Sequence, residues 1–250
     1  MINWTEDHDF RTWLPRLQAH RGHWVEGLRQ NSVEALAAAF QMGYKMVEFD
    51  VRLTKDLEVV VFHDDNFGDI KIHEVTFSQL VSLTPVNRLE DVFDLIKVQA
   101  NPTLKLNIEL KTQAVLNFTL EKKVCALIKK YHFEKKILVS SFNPFALARV
   151  RFLEPSIYRA LIQTFEDYAL NKLIIRKRTF NFLCAPHALH LRNLDWNEMK
   201  FSGIARQVPI ALWTVNELQE LRQLSPRVHG IISDKITPEQ MNSRQNRKID

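Results

Sequence analysis

Strand-like and helix-like segments alternate along all 250 residues of this chain, and that rhythm constrains its fold more than any other feature. Residues 17–20, 46–53, 58–63, 104–111, 137–141, 157–162, 181–185, 208–213 and 230–233 read as strands. Helical patterns fall between most of them, at 32–42, 89–98, 114–131, 144–152, 168–178 and 217–224, with Asn31-Ser32 and Asn216 as N-cap regions. A repeated strand-then-helix order predicts α/β architecture with a parallel sheet, and eight such units close a TIM (β/α)8 barrel. Nine strand candidates are one too many. The link Thr54-Lys55-Asp56-Leu57 is short enough to permit only an antiparallel hairpin. Residues 58–63 are therefore a return strand, a β-hairpin excursion after the second strand. With the turn centred between Asp56 and Leu57, paired residue numbers sum to 113, which sets His63 opposite Asp50.

Two strands have unlike faces. In LKLNIELK, Leu104, Leu106, Ile108 and Leu110 alternate with Lys105, Asn107, Glu109 and Lys111. In MVEFDVRL, Val47, Phe49, Val51 and Leu53 alternate with Glu48, Asp50 and Arg52. Inside a closed barrel the two polar faces would meet in the interior. Chemistry in such barrels sits at the carboxyl ends of the strands. Those ends hold His20-Arg21-Gly22, then Glu48 and Asp50, then His63-Asp64 by way of the hairpin, then Glu109 and Lys111. Three carboxylates in a partly dry pocket repel one another, and a divalent cation relieves that repulsion. All-oxygen ligation favours magnesium, calcium or manganese over zinc. Arg21 and Lys111 beside such a cation would cradle a phosphate. His20 and His63, near neutral pKa, would divide the work of general base and general acid.

The chain resembles the glycerophosphodiester phosphodiesterase family. The blocks that carry the resemblance are AHRG at 19–22, NSVEALAAAFQMG at 31–43, VEFDVRLTKDLEVVVFHDD at 47–65 and LNIELK at 106–111. SSFNPFAL at 140–147, LWTVN at 212–216 and GIISD at 230–234 follow. The resemblance implies a TIM barrel that uses a divalent metal to hydrolyse glycerophosphodiesters to glycerol 3-phosphate and an alcohol. It implies His20 and His63 as the acid–base pair, Glu48, Asp50 and Glu109 as metal ligands, and Arg21 and Lys111 as phosphate contacts. Phe142 and Trp213 would line the pocket for the glycerol or the leaving group. One position departs from the family: Gln30-Asn31-Ser32 stands where Glu-Asn-Thr is usual, and Gln30 can bond or coordinate through its carbonyl oxygen but brings no charge.

Three other readings share these residues. A lysophospholipase D acting on single-chain lipids would need an apolar apron, to which Trp4, Phe10, Trp13, Trp24 and Phe67 could contribute, along with peripheral lipid contact. A zinc hydrolase would take His20 and His63 as ligands, but the HxH pair typical of such barrels is missing. A catalytically inactive barrel used for binding has only Gln30 in its favour.

Composition suits one domain over residues 1–250. An apolar share of 46% can fill a core, and 25% charged residues is an ordinary load. No run approaches the ~18 apolar residues of a membrane span, and the N-terminal stretch has no apolar h-region. Cys125 and Cys184, far apart in apolar segments, read as buried reduced thiols, which suits the cytoplasm. The net charge of +5 comes from scattered residues. Its short clusters, Arg176-Lys177-Arg178 and Arg244 with Arg247-Lys248, lack interleaved aromatics, so a small anionic substrate is expected rather than nucleic acid. His23, His187 and His190 match no motif position, and His8, His73, His132 and His229 read as surface or satisfied core residues.

Overall fold

The alternation within each strand decides which face meets the helices and which meets the barrel interior. The computed structural model describes residues 8–24, 27–99, 101–112, 117–165, 181–199 and 208–246. Its strands are β1 (Leu17–His20), β2 (Met46–Leu53), β3 (Val59–Val61), β4 (Asn66–Phe67), β5 (Ile70–Lys71), β6 (Lys105–Leu110), β7 (Ile137–Ser141), β8 (Tyr158–Gln163), β9 (Ala188–Arg192), β10 (Ile210–Trp213) and β11 (Val228–Ser233). Parallel pairing runs β1-β2-β6-β7-β8-β9-β10-β11 and returns to β1, so eight strands close a barrel. β3 lies antiparallel on β2 as the hairpin excursion, and β4 and β5 form a small separate ribbon after it.

Outward-facing Val47, Phe49, Val51, Leu106, Ile108, Val139, Leu189 and Leu212 pack against Leu36, Val92, Phe93, Val124, Ile128 and Leu147 of the surrounding helices. Burying each such side chain stabilises the fold by about 1.5–3 kcal/mol. This shell lets the interior carry polar groups. The first long helix, Val33–Gln41, starts where Ser32 accepts a hydrogen bond from the Ala35 amide at 3.1 Å. Gly22 lies against it: at φ 84°, a Cβ on Gly22 would fall 2.7 Å from the Ala35 carbonyl carbon. The His20-Arg21-Gly22 turn is thereby pinned to the barrel rim.

Two strand expectations and one helix cap shift. Residues 181–185 are not a strand: Asn181–Cys184 is helical and the barrel strand is Ala188–Arg192. An apolar run as short as Phe182-Leu183-Cys184-Ala185 has no periodicity that separates helix from strand, and Pro186 ends the turn. The hairpin register differs by one from expectation, with Val51 opposite Val61 and paired numbers summing to 112. Leu57 takes the extra turn at φ 64°. Asp50 therefore accepts from the Phe62 amide at 3.0 Å, and His63 lies one step beyond. Asn216 does not cap the late helix Leu218–Gln223, whose N-cap is Glu217.

Phe10 and Trp13 do not form an apron at the barrel mouth. With Leu14 they pack on Met46, Leu138, Tyr158, Ala160 and Ala188, residues from the first half of each strand, and so plug the opposite end. Trp24 donates to the His20 carbonyl at 3.1 Å, Phe67 is 39% exposed on β4, and Trp4 lies outside the described residues. The expected helix at 168–178 and the basic cluster within it also lie outside the described residues. Cys125 and Cys184 are buried and unlinked. Among the described residues, no helix is long and apolar enough to cross a membrane.

Candidate active site

β2 and β6 lie side by side with Glu48 opposite Asn107 and Asp50 opposite Glu109. Their polar faces do meet inside the barrel. Glu48, Asp50 and Glu109 are all buried, and one oxygen of each lies within 4.8 Å of the others. Burial drives the Glu48 carboxyl well above the usual carboxylate range, reinforced by the charges of Asp50 and Glu109. Burial also raises Glu109, against the pull of Lys111. Asp50 goes the other way: Lys111, His63, Arg21 and the Asn31 amide together outweigh burial and hold it at about 2.

Asp50 owes this to a dense set of partners. Asn31, held at φ 56°, donates from Nδ2 to Asp50 Oδ2 at 2.8 Å and accepts from the Asp50 amide at 3.1 Å. An asparagine tolerates that left-handed backbone better than most side chains. Lys111 Nζ lies 3.2 Å from Asp50 Oδ1 and 2.6 Å from Glu109 Oε1. Arg21 Nε lies 3.4 Å from Asp50 Oδ2, while its Nη1 donates to Gln30 Oε1 at 2.8 Å. Arg21 itself sits at φ 59°, which turns its amide onto Glu48 Oε2 at 3.1 Å. Glu48 is left with no Lys or Arg ion pair among the described residues.

This donor set suits a hard divalent cation. The carboxylate oxygens converge within ligand spacing, and the raised Glu48 and Glu109 are the groups a cation would return to their charged form. Two cationic side chains already lean on Asp50. A bound ion would join them, giving a positive locus where a phosphoryl oxygen could rest.

His20 ends β1 and His63 follows β3. His20 Nδ1 lies 2.6 Å from Asp234 Oδ1, and its Nε2 is 3.9 Å from Glu48 Oε2. Asp234 in turn accepts from Asn216 Nδ2 at 2.8 Å, and its amide donates to Asn216 Oδ1 at 2.8 Å. His63 Nδ1 lies 2.7 Å from Asp64 Oδ1, and burial lowers its pKa. Arg52 clamps this corner, donating to the His63 carbonyl from Nε at 2.9 Å and pairing with Asp65. Despite the shifted hairpin register, both histidines line the same cavity as Glu48 and Glu109.

That cavity is about 610 Å3 and opens at the carboxyl ends of the strands. Phe142 and Trp213 both line it, edge to face with centroids 5.8 Å apart, and Lys111 Nζ stands 5.9 Å from the Phe142 ring. All nine expected site residues thus meet around one space, Asp50 through its ion pairs with Arg21 and Lys111. Asn31, Arg52, Asn216, Asp234 and His190 also belong to the site, although no sequence pattern assigns them a role in it. Asn216 and Asp234 stand at the ends of LWTVN and GIISD, so the blocks were visible while the pairing was not. His190, whose neighbourhood was obscured by the misplaced strand, is buried in β9 and lines the cavity.

Residues 20–237 match the Glycerophosphoryl diester phosphodiesterase family model. A glycerophosphodiester phosphodiesterase of Caldanaerobacter subterraneus is 25% identical over 86% of this chain and 92% of its own length. A human lysophospholipase D is 31% identical over 88% of this chain and 83% of its own. Among solved structures, a glycerophosphodiester phosphodiesterase from Parabacteroides distasonis superposes with a TM-score of 0.77 at 22% identity, over 93% of this chain and 98% of that one. An Oleispira antarctica phosphodiesterase in complex with the product sn-glycerol-3-phosphate gives 0.73 at 23% identity, over 94% and 98%. With the family match spanning the barrel from His20 onward, the chain belongs to the glycerophosphoryl diester phosphodiesterase family and is a phosphodiester hydrolase.

Proposed function

We propose that this protein hydrolyses glycerophosphodiesters to glycerol 3-phosphate and an alcohol, with a divalent cation held by Glu48, Asp50 and Glu109. The observation that carries the reading is the convergence of those buried carboxylates, within 4.8 Å of one another, in the cavity that both histidines line. The cation, magnesium, calcium or manganese, would supply positive charge to a phosphoryl oxygen. Arg21 and Lys111 orient the phosphate from either side of Asp50. A carboxylate on Nδ1 of each histidine leaves Nε2 as the atom that gives or takes a proton. One histidine removes the proton of the attacking hydroxyl while the other protonates the departing alkoxide. The attacking group is the neighbouring glycerol hydroxyl: its oxygen bonds to phosphorus as the alcohol leaves, and water then opens the cyclic phosphate. Phe142 and Trp213 wall off the organic part of the substrate.

The test is release of glycerol 3-phosphate from a panel of glycerophosphodiesters with each ion in turn, beside H20A. Turnover with none of the three ions overturns the reading. The human relative favours a second one, lysophospholipase D activity with peripheral lipid contact. Leu110, Phe142, Ile162, Trp213 and Ile232 give the cavity an apolar side that an acyl glycerol could use. Comparing glycerophosphocholine with lysophosphatidylcholine separates the two. A cytoplasmic location, suited to two unlinked thiols, and a single domain over the whole chain belong to the same proposal.

A further inference from the structure

The cavity has two unlike sides. Glu48, Asp50, Glu109, His20 and Lys111 sit on or beside β1, β2 and β6, and around the barrel β9 and β10 stand across from these strands. His190 lies in the middle of β9, in register with Ile162 of β8 and Ala211 of β10. It is 1% exposed, lines the cavity, and its Nε2 has no hydrogen-bond partner. Trp213 Nε1, one inward position further along β10, is likewise buried and unpartnered.

An unpaired buried polar atom costs about 1–3 kcal/mol, and native structures normally satisfy such atoms with ordered water or a ligand. A histidine that merely filled space would be poorly chosen here. Its inward neighbour on β10 is Ala211, whose side chain ends at Cβ, and beyond that Gly230 of β11 has the Arg16 carbonyl oxygen 2.8 Å from where a Cβ would stand. Burial pushes the imidazole down to about 3, so near neutral pH it offers one donor and one acceptor without charge. Such a group suits a hydroxyl rather than a phosphoryl anion.

We propose that His190 is a specificity-determining residue that binds a hydroxyl of the glycerol half of the substrate, with Trp213 Nε1 as an accompanying donor. The inference rests on the diesterase reading above: a phosphate anchored at the Arg21 and Lys111 side directs its glycerol toward β9 and β10. Ordered water offers the same hydroxyl chemistry, and the experiment separates the two sources.

Wild type, H190F and H190Q are titrated calorimetrically, with magnesium present, against sn-glycerol 3-phosphate, propyl phosphate and inorganic phosphate. Wild type is expected to bind glycerol 3-phosphate about 3- to 10-fold more tightly than propyl phosphate, the range of one neutral hydrogen bond. H190F should close that gap to within about 2-fold and leave inorganic phosphate unchanged, while H190Q, with a donor and an acceptor, keeps a gap. Because affinities are compared within one protein, partial misfolding lowers the number of sites and not the ratio, and H190A serves if H190F does not fold. A gap that persists in H190F means that His190 holds water alone and overturns the inference while the diesterase reading stands. Equal weakening of all three ligands overturns it as well, by making His190 purely structural. Wild type that binds inorganic phosphate as tightly as glycerol 3-phosphate overturns both.

Discussion

His20 Nδ1 lies 2.6 Å from Asp234 Oδ1, a contact between residues 214 apart in sequence that exists because the last barrel strand closes against the first. A carboxylate accepts only, so the imidazole proton sits on Nδ1 and Nε2 faces the cavity. Asn216 fixes the carboxylate through Oδ2 at 2.8 Å. Asp234 acts through His20, so it is a positioning residue. D234N should lower kcat about 10- to 1,000-fold with KM within about 3-fold of wild type. N216A should move kcat in the same direction by less. Steady-state kinetics on a glycerophosphodiester check this, and a change confined to KM would refute the positioning role.

Removing the cation should abolish turnover and lower stability together. Dialysis against a chelator leaves Glu48 and Glu109 to share a buried site without the charge that offsets their repulsion. Returning an ion at about 100 times its Kd stabilises the folded state by about 2.7 kcal/mol. For a domain of this size that corresponds to a Tm rise of about 5–10 °C. E48Q, which keeps the shape and loses the charge, should blunt both the thermal shift and the activity. Differential scanning fluorimetry across magnesium, calcium and manganese provides the readout.

The limits of sequence reading have local physical causes. Glu48, Asp50, Glu109 and Lys111 were legible because strict alternation in β2 and β6 fixes their faces. The observed register of the return strand differs by one from the expected one because residues 59–62, Val-Val-Val-Phe, are apolar on both faces and nothing in such a run specifies register. His63 still reaches the site because Arg52 holds its carbonyl from two nitrogens, at 2.9 and 2.6 Å. His190 was hidden by an apolar run upstream that reads equally well as helix or strand. Asp234 required knowing that β11 pairs with β1, which no local pattern states.

The two cysteines should be silent toward thiol reagents in the folded protein. Burial pushes both thiols up to about 12, so almost no thiolate exists at pH 8, and neither side chain is accessible. Ellman's reagent should titrate no thiol in the native state and two after denaturation. Reaction of either cysteine in native protein at the rate of a free thiol would contradict the buried placement.

His190 should also make stability fall with acid, and the sign follows from its neutral burial. Its folded pKa of about 3 lies far below the unfolded value near 6.5. Below pH 6.5 the unfolded chain binds a proton that the folded ring refuses. The stabilisation is therefore complete above pH 6.5 and is lost as pH falls toward 3, at up to about 1.4 kcal/mol per pH unit. Between pH 7 and pH 5 this one group should remove about 2 kcal/mol. Other groups titrate in the same window, His63 among them, whose lowered pKa acts with the same sign. The comparison with H190F isolates the contribution: urea denaturation at both pH values should show a loss about 2 kcal/mol smaller for the variant than for wild type. An identical loss in the two proteins would mean that His190 is protonated in the folded state, and the neutral donor–acceptor pair assigned to it would have to be given up.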